Sequence, residues 1–178
     1  LSAVGTAVRT WCALSDTGST NNYIDWRMNA SEASEVSAAA GGAEASAAGT
    51  AITAGEWVYV VVRALGSTNR RRAALLTTGI SVGNNATARA PTGMDTFTIG
   101  ALKTSGGATQ FWDGSLAEFW LASGDCYGGE ATNMTREALM TLAYRGPFAF
   151  PILRSNLVEY RSFRQGIVSP GDKLRMQF

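Results

Sequence analysis

Trp57-Val58-Tyr59-Val60-Val61-Val62-Arg63-Ala64 is the stretch that decides the class of fold. β-Branched and aromatic side chains fill it, and alternate residues of an extended chain point to opposite faces, so both of its faces are apolar. A strand of that kind belongs in the centre of a sheet that is covered on both sides. Gly55-Glu56 marks the turn that opens it.

Downstream, the triplet Arg70-Arg71-Arg72 reads as a turn, followed by a hairpin in which Ala73–Thr77 and Ile80–Val82 flank Thr78-Gly79. Gly83-Asn84-Asn85 reads as its end. Phe97-Thr98-Ile99-Gly100 is a further short strand, Gly106-Gly107 a loop, and Asp113-Gly114 a tight turn before a long strand over Ser115–Ala122. A single helix is predicted near residues 135–145. Thr135 caps it, Glu137 suits its dipole, Leu139, Leu142 and Ala143 form its apolar face, and Gly146-Pro147 stops it. Strict alternation over Leu157–Phe163 gives a last strand.

Upstream, Ala7–Leu14 mixes β-branched and aromatic residues, and Ile24, Trp26 and Met28 alternate with Tyr23, Asp25 and Arg27. The two stretches read as a hairpin joined by the polar loop Ser15–Ser19. Residues 30–54 are rich in Ala, Ser, Gly and Thr, and fit either a linker or strands of small residues. Weak strands are the better reading, because the interspersed glycines oppose the helix that alanine alone would favour. Small side chains would let two sheets, or a sheet and a neighbouring subunit, lie close together. Many short strands, Gly-rich turns and one late helix predict an all-β antiparallel sandwich or jelly roll.

Composition removes several functions. The 178 residues contain no histidine, which excludes Ser-His-Asp and Cys-His nucleophiles, His-ligated zinc or iron, and the usual pH switch. The net charge of +1 argues against nucleic acid as a partner. Its distribution is uneven: residues 1–50 carry two basic against five acidic side chains, whereas residues 63–103 carry six against one and residues 152–178 five against two. These stretches either face one another, within the fold or across subunits, or are scattered solvated charge. No apolar run approaches the roughly 18 residues of a membrane helix, so no membrane partner is expected. The chain starts at Leu1 rather than Met, which fits a processed or trimmed product. Cys12 and Cys126 are too far apart in sequence to define a framework, and buried reduced thiols are the simpler expectation.

From residue 56 to 146 the order of features resembles the concanavalin A-like lectin/glucanase superfamily, in its laminin-G or pentraxin-like branch. The resemblance rests on Glu56-Trp57-Val58-Tyr59-Val60-Val61, the hairpin turn Thr78-Gly79, Phe97-Thr98-Ile99-Gly100, Trp112-Asp113-Gly114-Ser115-Leu116-Ala117-Glu118-Phe119-Trp120-Leu121, and the stretch from Met134 to Gly146. A second resemblance follows the helix. Tyr144-Arg145-Gly146-Pro147-Phe148, Pro151-Ile152-Leu153 and Asn156-Leu157-Val158-Glu159-Tyr160 look like a stretch common in jelly-roll proteins of tailed bacteriophages, departing from it at Ser162-Phe163.

These resemblances imply a jelly roll over residues 1–164, with a basic tail over residues 165–178 that a partner would order. The superfamily's glucanases carry three carboxylates on one strand face; here Asp113 and Glu118 are five apart and fall on opposite faces, so no hydrolase is expected. The expected function is a non-enzymatic structural protein of a bacteriophage particle, decorating capsid or tail and homo-oligomeric there. Its partners would be other virion proteins. The alternative is a secreted or surface-acting lectin. For it, Trp112 is the candidate sugar-stacking aromatic beside Asp113, with Asn84 and Asn85 as loop polar groups; packing under the turn and turn formation are the competing readings. Arg70, Arg71, Arg72, Arg161 and Arg164 are candidate subunit contacts, against a reading as solvated charge. The loops Asp16–Asn22 and Gly83–Asn85 lack paired acidic ligands, so no metal or other cofactor is expected. The sequons at Asn29, Asn85 and Asn133 carry no weight in a Ser/Thr-rich chain.

Overall fold

The structure is a computed structural model that describes residues 7–53, 55–65, 69–76, 79–123 and 136–162. It is mostly β and antiparallel. The first sheet holds five strands: β1 (Arg9–Ser15), β2 (Tyr23–Met28), β3 (Ala33–Ala40), β4 (Ala43–Ala51) and β8 (Thr96–Ile99), in the order β4-β3-β2-β1-β8. The second holds β5 (Tyr59–Leu65), β6 (Asn69–Leu76) and β7 (Gly79–Asn85), in that order. Two small ribbons accompany them: β9 (Leu102–Thr104) with β10 (Gly107–Thr109), and β11 (Glu118–Ala122) with β12 (Leu157–Ser162). Helices α1 (Arg136–Arg145) and α2 (Pro151–Ser155) form a third layer.

The alternation of β5 explains the layering. Val58, Val60 and Val62 pack towards the first sheet, against clusters built on Met28 with Ile52 and on Cys12, Trp26, Val36 and Ala47. Val61 and Tyr59 face the other way and meet Leu139, Leu142 and Leu153 of the helices. Those three leucines are fully buried. Gly146 ends α1 with φ 70°, a positive-φ conformation that glycine accepts without strain, and its N–H donates to the Leu142 carbonyl at 2.8 Å.

The small-residue stretch forms two regular strands, β3 and β4, and β4 lies under β7. Gly83 rests directly on the backbone of Ala47 and Ala48. Ser81 Oγ accepts from Thr50 N–H at 2.8 Å, and Asn85 Nδ2 donates to the Ser46 carbonyl at 2.7 Å. The two layers are thus bolted together by hydrogen bonds where the side chains are too small to fill a wider gap.

Five expectations are corrected, the first being the single helix, since α2 follows α1. Arg70, Arg71 and Arg72 are not in a turn; they lie within β6, at register positions opposite Asn85, Asn84 and Gly83. Those three residues belong to β7 rather than ending it, because pairing with β6 continues through Asn85. β5 begins at Tyr59 and, among the described residues, has β6 as its sole hydrogen-bonded neighbour, so it is an edge strand and not a central one. The strand predicted over Ser115–Ala122 is also shorter, starting at Glu118. Thr135, Cys126, Arg164 and the tail 165–178 lie outside the described residues.

The outer face of the first sheet carries a buried charged cluster. Arg27 donates to Glu35 at 2.5 and 2.8 Å and to Glu44, and lies 3.7 Å from Asp25. Tyr23 Oη donates to Glu44 at 2.6 Å, and Asn29 Nδ2 donates to Glu35 at 2.8 Å. The chain leaving β10 covers part of this face, with Thr10 N–H donating to the Gln110 carbonyl at 2.7 Å. Burial pushes the carboxyl of Asp25 up to about 7, against the pull of Arg27.

The neighbours suit a protonated Asp25. Thr10 Oγ1 sits 3.2 Å from Asp25 Oδ2 and 2.9 Å from Gln110 Oε1. With its single proton Thr10 serves one of them; a protonated Asp25 donates to Thr10, which then donates to Gln110. A carboxyl raised in the fold binds a proton that the unfolded chain has already released. Its stabilisation is therefore full below about pH 4 and is lost as pH rises through about 7. Asp25→Asn is expected to flatten the melting temperature over this window and to raise stability at pH 8 by about 1–2 kcal/mol. Thermal melts of both proteins from pH 4 to 8 check it; an unchanged slope in the variant would contradict the assignment to Asp25.

Candidate functional site

A cavity of about 800 Å3 opens between the two sheets, and all five tryptophans of the chain line it. Three come from the first sheet and the loop beside it. Trp11 sits at an irregularity in the β1–β2 pairing, where the register shifts between Thr10 and Cys12. Trp26 points inward from β2, and Trp112 meets Trp11 edge-on with ring centroids 5.7 Å apart. Trp120 closes the helical side, where its Nε1 donates to Tyr59 Oη at 2.8 Å. Trp57, ahead of β5, is 67% exposed although the sequence places it in the core, and it stands with the exposed Tyr144 at the lining's edge.

The lining has a distinctive sequence pattern. Residues 55–62 and 115–122 contribute without interruption. Side chains of a strand that floors a pocket would contribute every second residue. A continuous run means that the cavity runs along the strand's edge. The cavity is therefore a slot between the edges of β5 and β11 to which no strand pairs among the described residues, floored by the first sheet.

Its lining is mostly apolar and aromatic. Its charged lining residues are Glu56 and Glu118. Cys12 lines it too, but burial, helped by the charge of Asp25, pushes its thiol far up, so it stays protonated and unreactive. Nε1 of Trp26 and of Trp112 are both buried without a hydrogen-bond partner. A buried donor left unmatched costs about 1–3 kcal/mol, so these two indoles favour an occupant that brings acceptors.

The sequence-predicted residues are dispersed. Trp112 is half-buried and lies against Gly114, where an added Cβ would come 2.8 Å from its ring; Asp113 beside it is exposed. Asn84 is exposed on β7. Asn85 is used structurally, tied to Ser46 through Nδ2 and accepting from Thr87 N–H at 2.8 Å through Oδ1. Asn85 thus sits over the Ser46 end of β4, whereas Trp112 packs with Met28 and Ile52 beyond the opposite end of that strand. Arg70, Arg71 and Arg72 pair along β6 with β7, and Arg161 pairs with Phe119 across the β11–β12 ribbon. The structure brings the asparagines and the arginine triplet to one pair of strands and leaves Trp112 with the slot.

Sequence reading missed the slot itself. Its one signal was the doubly apolar β5, which announces a strand flanked on both sides. Comparison with family models, with curated proteins and with solved structures finds no match to this chain.

Proposed function

We propose that this chain is a non-enzymatic structural protein of a bacteriophage particle, a concanavalin A-like jelly roll that decorates capsid or tail and works by fitting against neighbouring chains. The observation that supports it most directly is the ribbon β11–β12. The end of the stretch that resembles the concanavalin A-like superfamily, Trp112–Leu121, is hydrogen-bonded to the stretch that resembles jelly-roll proteins of tailed bacteriophages, Asn156–Tyr160, with Trp120 opposite Tyr160 and Leu121 opposite Glu159. The turn at Gly146-Pro147 and helix α2 carry the chain back to make that pairing. The bolted contact of β4 with β7 gives the rigid body that a repeated particle component needs. Mass spectrometry of purified particles of the phage that encodes the chain is the test. The chain is expected there at a copy number set by the particle's symmetry, and its absence from intact particles overturns the reading.

A second reading, a glycan-binding module, is favoured by one observation, the exposed ring of Trp57 beside an aromatic slot with unmatched indole donors. A glycan array separates the two. Selective sugar binding that is lost in both Trp57→Ala and Trp112→Ala supports the lectin reading, and an array without hits rejects it.

A further inference from the structure

We propose that the slot between β5 and β11 is a strand-acceptor site, filled by an extended segment of a neighbouring polypeptide that pairs with both edges and completes the second sheet. The inference concerns what fills the slot and stands apart from whether the neighbour is a virion protein.

Four observations point to a strand rather than a small molecule. Both long walls are strand edges: among the described residues β5 is bonded to β6 alone and β11 to β12 alone. Each edge presents backbone N–H and C=O groups at strand spacing, the groups through which an added strand binds.

Over Tyr59–Val62, though not at Arg63, β5 also lacks what edge strands use to discourage pairing. Natural edges carry charges, prolines or bulges, whereas Tyr59-Val60-Val61-Val62 carries none and is apolar on both faces. That pattern fits a strand with neighbours on both sides, which the described residues do not supply. The mismatch between sequence and pairing is resolved if the second neighbour comes from elsewhere.

The size agrees. With about 4.8 Å between strands, about 10 Å between layers and about 3.3 Å of rise, one strand residue fills about 160 Å3. The cavity of about 800 Å3 then takes about five residues, and β11, the wall it would pair with, is five residues long.

The lining specifies the occupant's chemistry. Its centre must be apolar, because aromatic rings lie on both sides of it. Its face towards the first sheet should carry an acceptor such as a threonine hydroxyl, for the unmatched indoles of Trp26 and Trp112.

Selection of a random linear heptapeptide library on the purified full chain tests this, read out by amide exchange and tryptophan fluorescence. The expected winners alternate apolar with Thr or Ser and slow exchange at Val60–Val62 and at Phe119–Ala122 together by at least tenfold. They also shift tryptophan emission, since every indole lines the slot. Ala117→Trp, which fills the slot from its own wall, should abolish binding, while circular dichroism confirms that the variant is folded. The proposal is overturned if no consensus emerges, if winners protect only one edge or another surface, or if both edges are already exchange-protected in the chain alone. Binding of a hydrophobic dye such as bis-ANS with no peptide binding also overturns it, since the slot would then be a small-molecule pocket.

Discussion

Gly83→Ala is expected to lower stability by about 3 kcal/mol or more, the upper end for overpacking, and to reduce the melting temperature by about 6–12 °C. A Cβ at Gly83 would run into the carbonyl oxygen of Ala48 and lie 2.7 Å from its carbonyl carbon and 3.3 Å from that of Ala47. These are backbone atoms of a paired strand, so no rotamer change relieves the clash. Either β7 lifts off β4 or β4 bends out of register with β3. Both break the Thr50–Ser81 and Asn85–Ser46 hydrogen bonds that hold the layers together. The control is Gly106→Ala, whose Cβ would meet nothing nearer than 3.6 Å and whose melting temperature should stay within about 2 °C of the parent. Thermal melts of the three proteins decide it. Equal melting of Gly83→Ala and the parent would mean that the layers are not in close contact.

The same contact shows why part of the fold was legible in the sequence. Alternation in Ile24-Asp25-Trp26-Arg27-Met28 gave β2, and the glycines scattered among alanines favoured strands over helix at β3 and β4. Periodicity records which side chains meet a core, and these strands have one face in it. The second half of β6 was read as a strand, but its first half was hidden because Asn69-Arg70-Arg71-Arg72 has turn-like polarity. Strand preference depends on neighbours more than on composition, and β6 lies between β5 and β7, which hold it extended on both sides. The exposure of Trp57 was hidden for another reason. Hydrophobicity predicts burial only when a partner surface exists, and the side of β5 towards β11 has a slot where a neighbour would be.

The candidate site was legible only in fragments. Trp112 was singled out, but the other four tryptophans come from separate parts of the chain that pairing alone brings to one place. The asparagines at 84 and 85 looked like loop groups free for a ligand, yet Asn85 spends its side chain on Ser46 and Thr87. No local pattern announces a hydrogen bond across 39 residues.

The charged cluster gives the second large effect. Arg27→Met is expected to cost about 3–5 kcal/mol, the range for removing one partner of a buried ion pair. Arg27 is a single cation facing Asp25, Glu35 and Glu44, and it and the first two are nearly inaccessible. Without it, Glu35 keeps only the Asn29 amide among the bonds described here, and three acidic groups repel one another in a poorly solvated site. Arg27→Lys should fall between, because an ammonium keeps the charge but cannot reach Glu35 and Glu44 with a planar fork. The loss should also depend on pH. Protonating Asp25, whose carboxyl burial raises to about 7, removes part of the repulsion, so the gap between Arg27→Met and the parent narrows as pH falls from 8 towards 4. Adding Glu35→Gln to Arg27→Met removes a buried charge that has lost its cation and should recover a substantial part of the loss. Denaturant titrations of the four proteins at pH 5 and 8 measure both terms. A gap independent of pH, with no rescue by the second substitution, would show that Arg27 contributes by packing rather than by its charge.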